Sequence, residues 1–419
     1  MSEPQHYDAH DDSFGAAQRE WLTERLSHYL GVPVDDNVPF HEYGGFDSVA
    51  ALSLYGDIEE EFGPVIDPAD IETYSTVREL ARYMAQHDPR PAGGGLVRAA
   101  FVFTGQGSQH PGMTSGLYWN CTGYRAHLDQ AAAELLPYTG TSVVELILGN
   151  DPRIHQTAFT QPALFAVEYA LAQTLREEGV TPIAVLGHGI GEFAAAAVAG
   201  ALSLPDAAKL VALRGAFMQL LPSDGGMMAT CAAPFEAAEL IASEPGVGIG
   251  AINAAKATVL SGDRAGLERI QEQLESRGIA CRHLTVTHPF HSPVMAPMVP
   301  KFEAVARRVA GGAARVPFYS TLYGRLATEP LYGAYWSEQI TSPVRFADAA
   351  RAMLVQQTPT HVVEIGPRVV LTPFLRRMGG NDGPTCLAVC RGPESDAVDL
   401  AGVISALDAG PLAAALAGA

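Results

Sequence analysis

The sequence predicts two folded parts: a small bundle of four helices, and an α/β domain that carries a β-α-β-β-α-β insertion. Three observations lead to this prediction. The charge balance changes abruptly near residue 90, a Pro- and Gly-rich segment follows there, and the remaining chain alternates strand-like with helix-like runs. The 419 residues suffice for two or three domains, each with its own core.

The first 90 residues are strongly acidic. They contain 19 Asp and Glu against five Arg and no Lys, a balance of −14 out of −19 for the whole chain. This net charge argues against nucleic acid as a partner. The acidity has two interpretations: it keeps a small domain soluble, or it lets that domain dock on basic patches of partner proteins.

Helical spacing of apolar residues defines the bundle. Residues 18–30 form the first predicted helix, and Asp47 or Ser48 can cap a second one. Residues 67–87 predict a short third helix and a fourth that begins after Ser75 and Thr76. We assign residues 15–88 to this domain and residues 89–98 to a flexible linker.

The second part alternates strands and helices, which is typical of a parallel sheet. The strand AAFVF leads into the loop TGQGSQHPGM, and TQPALFAVEYALAQTLREEG predicts a strongly amphipathic helix. The strand IAVLG precedes a helix from Glu192. We assign residues 99–224 and 288–395 to one α/β subdomain that ends with the strand HVVEIG, a helix after Pro367 and an alanine-rich tail. Residues 225–287 have the element order of a ferredoxin-like subdomain.

The turn GHGIG between IAVLG and the following helix has three interpretations. A dinucleotide fingerprint needs a third glycine where the chain has Glu192. A plain tight turn is the second. A nucleophile elbow of the type G-x-S-x-G is the third, and Gly187 and Gly191 have its spacing.

Other signals restrict the protein class. No apolar run is long enough to span a bilayer, and the acidic, polar N-terminus does not resemble a secretory signal. Five dispersed cysteines suggest reduced thiols and lack the paired spacing of a metal site. We therefore expect a cytoplasmic protein with no metal and no membrane partner.

Seven runs, in order over nearly 300 residues, carry a family resemblance: FTGQGSQHPGM, TQPALFAVEYAL, GHGIGEFAAAAVAGAL, LRGAFMQ, HPFHSPVM, YWSEQITSPVRFADA and EIGPRVVLTPF. This part resembles the acyltransferase domain of polyketide synthases and the related malonyl-CoA:acyl carrier protein transacylases. The resemblance implies an α/β hydrolase-like core. It also implies ping-pong transfer of a malonyl-type acyl group from CoA to a carrier through an acyl-enzyme.

The resemblance assigns catalytic roles. In the family the elbow reads GHSxGE, and the serine that attacks the thioester falls on Gly189. The general base falls on His291 of HPFH. Gln106 and Ile190 would supply backbone N–H groups to an oxyanion hole.

Substrate-binding roles also come from the resemblance. Arg214 would bind the free carboxylate of a malonyl-type substrate through two parallel hydrogen bonds. The site would also be lined by Gln161, His188, Asn253 and Phe290. Malonyl-type members tend to have a branched aliphatic residue after the apex and a HAFH motif, so Ile190 and Phe290 favour malonyl. Pro289 departs from the usual alanine.

The acidic bundle resembles an acyl carrier protein of the polyketide type. The run YGGFDSVAAL matches the family's (G/A)xDS motif, in which the serine carries 4′-phosphopantetheine, and Ser48 holds that position. By itself, a serine there is also an ordinary helix N-cap. The implied partners are acyl-CoA, a phosphopantetheinyl transferase, other acyl carrier domains and polyketide synthase proteins.

Glycine at the nucleophile position should preserve the fold, because an elbow apex often has positive φ and glycine adopts it readily. It removes the attacking oxygen. Three explanations stay open: Gly189 was introduced into an active enzyme, the domain is a naturally inactive scaffold that docks carrier or synthase partners, or the site performs direct or water-mediated chemistry, as a hydrolase does.

Overall fold

The computed structural model describes residues 16–46, 48–62, 66, 70–87, 97–380, 383–393 and 395–407. It divides into two units, with the boundary between residues 96 and 97. Asp47, the alternative cap predicted for the second helix, lies outside the described residues, and so does the side chain of Ser48.

The N-terminal unit is helical in its described residues, with helices α1 (Ala16–Leu30), α2 (Ser48–Phe62), α3 (Asp70–Thr73) and α4 (Val77–His87) and a 3₁₀ turn (Phe40–Glu42). Leu22, Leu54 and Leu80, one from each long helix, are buried together in its core. The hydroxyl of Thr76 accepts the backbone N–H of Glu79 at 3.2 Å and caps α4, near its predicted start.

The second unit contains a six-stranded sheet. Its strands are β1 (Ala99–Phe103), β2 (Ala184–Gly187), β7 (Phe318–Ser320), β8 (Arg325–Leu326), β9 (His361–Ile365) and β10 (Thr385–Ala388). Their order is β10-β9-β1-β2-β7-β8, and every pairing is parallel except the antiparallel β7–β8 pair. Because β1 and β2 are adjacent and parallel, the loop after β1 and the turn after β2 leave the same edge of the sheet.

A four-stranded antiparallel sheet lies between the two halves of this fold in sequence. It contains β3 (Gly225–Thr230), β4 (Val247–Ala254), β5 (Ala257–Asp263) and β6 (Cys281–His283), in the order β4-β5-β3-β6. With α11 (Pro234–Ile241) and α12 (Arg264–Ser276) it has the predicted order β-α-β-β-α-β. Met228, Leu260 and Leu267 belong to a separate apolar core in this subdomain.

The other helices of the second unit are α5 (Ser115–Asn120), α6 (Thr122–Thr139), α7 (Val143–Leu148), α8 (Thr157–Glu177), α9 (Gly191–Val198), α10 (Leu204–Gln219), α13 (Val299–Ala306), α14 (Gly333–Glu338), α15 (Phe346–Gln357), α16 (Thr372–Gly379) and α17 (Ala397–Ala406). The prediction that α8 is strongly amphipathic is wrong. It is buried along most of its length, and even Glu168 is inaccessible. The periodicity suggested an exposed face, but neighbouring helices cover it.

Two predicted boundaries also need correction. The predicted linker covers residues 89–98, but Arg98 belongs to the second unit, where its backbone N–H donates to the hydroxyl of Thr360 at 2.9 Å. The predicted α/β subdomain ends at residue 395, yet Leu400 and Val403 of α17 are buried in its main core. Both corrections arise from contacts with residues distant in sequence.

Within the described part of the chain, no helix combines the length and apolarity needed to cross a membrane. The five cysteines are all free thiols.

Candidate active site

The GHGIG turn joins the end of β2 to the start of α9. A Cβ at Gly187 would overlap the backbone of Glu192, and one at Gly191 would overlap the backbone oxygen of Thr104. Both flanking positions therefore require glycine. The apex residue Gly189 has φ of +57°, which a glycine adopts without strain. The turn thus has the tight strand–turn–helix geometry of a nucleophile elbow.

His291 faces this apex. A Cβ built on Gly189 would lie 3.2 Å from Nε2 of His291. On the other side of the ring, Nδ1 is 3.1 Å from the carbonyl oxygens of Gln339 and Ser342. Carbonyls only accept hydrogen bonds, so these partners assign the proton to Nδ1 and leave an unprotonated Nε2 directed at the apex.

The His291 ring is held neutral by its surroundings. Burial, helped by the positive charge of Arg214, lowers its pKa to about 3. A histidine of the unfolded chain has a pKa of about 6.5. Below pH 6.5, therefore, the unfolded chain binds a proton at this histidine and the folded protein does not. The free energy of unfolding decreases as the pH falls from about 6.5 towards 3.

We expect His291→Gln to reduce the acid sensitivity of folding. The contribution of His291 to the loss of unfolding free energy between pH 7 and pH 5 is about 2 kcal/mol. Urea unfolding of both proteins at the two pH values measures this contribution. The contribution of His188 cancels in the comparison, because both proteins retain that residue. Equal losses in the two proteins would show that His291 takes up its proton in the folded state as well.

Arg214 of α10 is buried and has an exposed fraction of 2%. Its Nη2 donates to Oε1 of Gln339 at 3.2 Å, Nε has no partner among the described residues, and the guanidinium lies 5.8 Å from the ring centre of Phe193. Burial lowers its pKa to about 10, so it remains charged at neutral pH. No carboxylate of the described chain forms a salt bridge with it. A buried cation of this kind is suited to an anionic ligand.

Gln339 links these groups. Its backbone oxygen accepts from His291, and its side chain donates to the carbonyl oxygen of Gly189 at 2.9 Å and to Glu192 at 2.7 Å. Glu192 is fully buried and also accepts from Tyr335 at 2.9 Å. Burial raises the pKa of this carboxyl group. The elbow, the base and the arginine are therefore joined through one glutamine.

The loop after β1 lies against the elbow. A Cβ at Gly105 would be 2.9 Å from both Nδ1 and the carbonyl oxygen of His188. The Gln106 side chain accepts from Gln161 at 3.2 Å, and Gln161 also contacts Sδ of Met218 at 3.4 Å. The backbone N–H groups of Gln106 and Ile190 have no acceptor within the described ranges, and free N–H groups are what an oxyanion hole requires.

Two predicted lining residues connect the subdomains. Nε2 of His188 is 2.9 Å from Oδ1 of Asn253, on β4 of the four-stranded sheet. Phe290 is buried, and its carbonyl oxygen accepts from Ser261 of β5 at 2.6 Å. These bonds attach the small subdomain to the elbow and to the segment that carries His291.

Comparisons with known proteins agree with this geometry. Residues 100–396 match the family model of the "Acyl transferase domain", and residues 20–84 match that of the "Phosphopantetheine attachment site". The chain belongs to the acyltransferase family of polyketide synthases, together with a carrier domain. The recognised resemblance is thereby confirmed for both parts.

Two curated relatives of this chain are polyketide synthase GfsB of Streptomyces halstedii and phenolphthiocerol synthesis polyketide synthase type I Pks15/1 of Mycobacterium marinum. They are 39% identical over 297 residues and 41% identical over 283 residues. The matches cover 70% and 67% of this chain but only 5% and 13% of the relatives. The chain thus spans a small part of the length of these synthases.

Solved structures of acyltransferases share the fold. The acyltransferase domain from the second module of the salinomycin polyketide synthase has a TM-score of 0.72 and 30% identity, with 99% of this chain and 96% of that one covered. The malonyl CoA-acyl carrier protein transacylase from Clostridium perfringens has a TM-score of 0.66 and 27% identity, with coverages of 77% and 100%.

Sequence reasoning missed the linking residues Glu192 and Gln339. Glu192 carried a signal, since it is a lone acid in the apolar, alanine-rich helix after the elbow. Gln339 carried none beyond its place in the run YWSEQITSPVRFADA. Its role depends on contacts with residues more than a hundred positions away.

Ser48 is the first residue of α2 in the carrier domain. The preceding residues Gly44 and Gly45 are exposed, and a Cβ at Gly44 would meet nothing within 4 Å. The segment that leads into the start of α2 is therefore exposed at these two glycines. Residue 48 falls within residues 20–84, which match the phosphopantetheine attachment family.

Proposed function

We propose that this chain is a carrier–acyltransferase didomain of polyketide assembly whose acyltransferase site binds a malonyl-type acyl-CoA. The observation that carries the proposal is the placement of Gly189. Its missing Cβ would lie 3.2 Å from Nε2 of His291, at an apex with φ of +57°. A serine there would put its hydroxyl beside an unprotonated base, as acyl transfer through an acyl-enzyme needs.

The proposal assigns one role to each predicted residue. His291 is the base, and the N–H groups of Gln106 and Ile190 stabilise the oxyanion. Arg214 binds the carboxylate of the acyl group. The pocket around this group is lined by Gln161, His188, Asn253 and Phe290. The α/β hydrolase-like core and the ferredoxin-like subdomain hold these groups from two sides.

The carrier domain supplies the acceptor in this proposal. A phosphopantetheinyl transferase would attach 4′-phosphopantetheine to Ser48, and the thiol of that arm would take the acyl group. Other carrier domains and polyketide synthase proteins are further proposed partners in the cytoplasm. The acidity of the carrier, −14 over residues 1–90, suits docking on basic surfaces.

The unpaired charge of Arg214 supports malonyl over an uncharged acyl group. We expect malonyl-CoA to bind this chain at least tenfold more tightly than acetyl-CoA, because a hydrogen bond to a charged group contributes about 1.5–3 kcal/mol. Gly189 allows this affinity to be measured without turnover, by titration calorimetry. Intact mass spectrometry should detect no malonyl adduct on residues 97–419.

The matched variants are Arg214→Gln and Arg351→Gln. The first should remove the preference for malonyl-CoA, whereas the second changes an exposed arginine of α15 and should leave it intact. Equal affinity of the unmodified chain for both thioesters would refute the malonyl assignment. A stable malonyl adduct on that region would refute the conclusion that Gly189 prevents acyl-enzyme formation.

A scaffold is the second candidate function. It is favoured by the same glycine, since every binding group persists around an apex that has no nucleophile. In that case the chain would bind acyl thioesters or carrier partners and transfer nothing, even with a hydroxyl restored.

A further inference from the structure

Glu168 is a buried acid that none of the roles above uses. It lies inside α8 with no exposed surface, and its Oε2 has no hydrogen-bond partner among the described residues. Its Oε1 lies 2.7 Å from the hydroxyl of Thr104. Burial of an ionised carboxylate without a cation is costly. The burial of the Glu168 side chain therefore requires a physical explanation.

Thr104 connects this acid to the oxyanion-hole loop, which we define as residues 104–108. The Thr104 hydroxyl is 3.1 Å from that of Ser108, which donates to the carbonyl oxygen of Gly105 at 2.9 Å. Gly105 lies against His188 of the elbow, and the next residue is Gln106. Three contacts in series thus run from Glu168 on α8 to the carbonyl oxygen of Gly105, the residue before Gln106.

Counting hydrogens shows which form of Glu168 fits this series. Each hydroxyl carries one hydrogen, and the hydrogen of Ser108 is used on Gly105. If Glu168 were ionised, Thr104 would have to donate its hydroxyl hydrogen to the carboxylate. Neither Thr104 nor Ser108 would then have a hydrogen left for the contact between them. A protonated carboxyl group supplies the missing one, so that every contact has a donor and an acceptor.

The surroundings favour that protonated form. Burial raises the pKa of Glu168 well above its usual range, and the charge of Glu364 acts in the same direction. Glu364 itself accepts backbone N–H groups from Val370, Leu371 and Thr372, at 2.6 to 2.8 Å. It thus holds the segment after β9, beside the strand that leads into the oxyanion-hole loop.

We propose that Glu168 is a positioning residue that holds the oxyanion-hole loop as a neutral hydrogen-bond donor, through Thr104 and Ser108. The catalytic consequence rests on the proposed acyltransferase function, whereas the anchoring of the loop does not. Glu168 touches no substrate in this proposal. It fixes the direction of the Gln106 N–H group from inside the core.

The test compares Glu168→Gln, Glu168→Leu and Thr104→Val, each in the chain as it stands and in the Gly189→Ser background. Glutamine keeps a neutral donor, leucine keeps the volume, and valine removes the hydroxyl from the loop side. We measure hydrogen–deuterium exchange of the peptide spanning residues 101–110, and kcat and KM for malonyl transfer.

We expect Glu168→Gln to preserve exchange and kcat. Glu168→Leu and Thr104→Val should accelerate exchange of that peptide and lower kcat roughly 10- to 100-fold with little change in KM, somewhat less than the loss of an oxyanion donor. If leucine prevents folding, Thr104→Val decides. The proposal is overturned if that variant changes neither readout, or if glutamine is as damaging as leucine. Should Gly189→Ser itself be inert, the acyltransferase function fails, and the exchange data still decide the anchoring.

Discussion

Replacing Gly189 by serine should convert the chain from one that forms no acyl-enzyme into one that takes up a malonyl group on residues 97–419. The reason is geometric, because the hydroxyl would be added beside Nε2 of His291, 3.2 Å from the new Cβ. Arg214 bonds to Gln339, whose side chain also donates to the carbonyl oxygen of Gly189. Intact mass spectrometry after exposure to malonyl-CoA detects the adduct, and proteolysis locates it.

The same substitution should cost stability. At φ of +57° a residue with a Cβ is strained by roughly 1–2 kcal/mol relative to glycine. His291 must also yield slightly, since 3.2 Å is a tight approach for a Cβ. Gly189→Ser should therefore have a lower Tm than the unmodified chain.

Gly189→Ala is the matched control. It introduces the same Cβ and the same strain but no oxygen, so it should be destabilised similarly and remain unacylated. An inert Gly189→Ser chain that still binds malonyl-CoA would favour the scaffold. Hydrolysis or transfer by the unmodified chain would instead favour direct or water-mediated chemistry at His291. If Gly189→Ser is acylated and then loads the pantetheine arm on Ser48, the chain lacks only its nucleophile.

Replacing His291, the proposed base, should be the most damaging single change in the Gly189→Ser chain. In the Gly189→Ser background, His291→Asn should slow acyl-enzyme formation by about 10²- to 10⁴-fold, which is the usual contribution of a positioned general base. Asparagine resembles the Nδ1 side of the ring, which contacts the carbonyl oxygens of Gln339 and Ser342. It cannot accept the proton of a hydroxyl as an imidazole does.

Rapid-quench measurement of the acylated fraction gives the rate. Affinity for malonyl-CoA serves as the control, because Arg214 is untouched and the pocket should still bind its ligand. A rate within threefold of the Gly189→Ser parent would show that another group accepts the proton. Loss of both the rate and the affinity would indicate collapse of the pocket.

Local geometry made the elbow predictable from the sequence. Gly187 and Gly191 are required because a Cβ at either position would overlap nearby backbone. This constraint is visible in the sequence as two glycines at a fixed spacing between a strand and a helix. Short apolar runs likewise identified β1 and β2, and the alanine-rich stretch after the turn identified α9. The charge step near residue 90 located the carrier domain, because net charge needs no three-dimensional information.

Helix α8 shows where such patterns fail. Its polar positions suggested an exposed face, yet the fold covers that face and buries Glu168. A sequence pattern records which residues are polar. It does not record whether another helix packs over them or whether a distant hydroxyl satisfies them.

The sequence by itself determined the two-part organisation, the elbow and the absence of a hydroxyl at its apex. Only the tertiary structure decided that Nε2 of His291 faces Gly189, that Gln339 joins this pair to Arg214, and that Glu168 reaches the oxyanion-hole loop. The physical reason is the range of the interactions. Turn and helix geometry act between neighbours in sequence, whereas hydrogen bonds between side chains depend on segments that meet only after the sheet has formed.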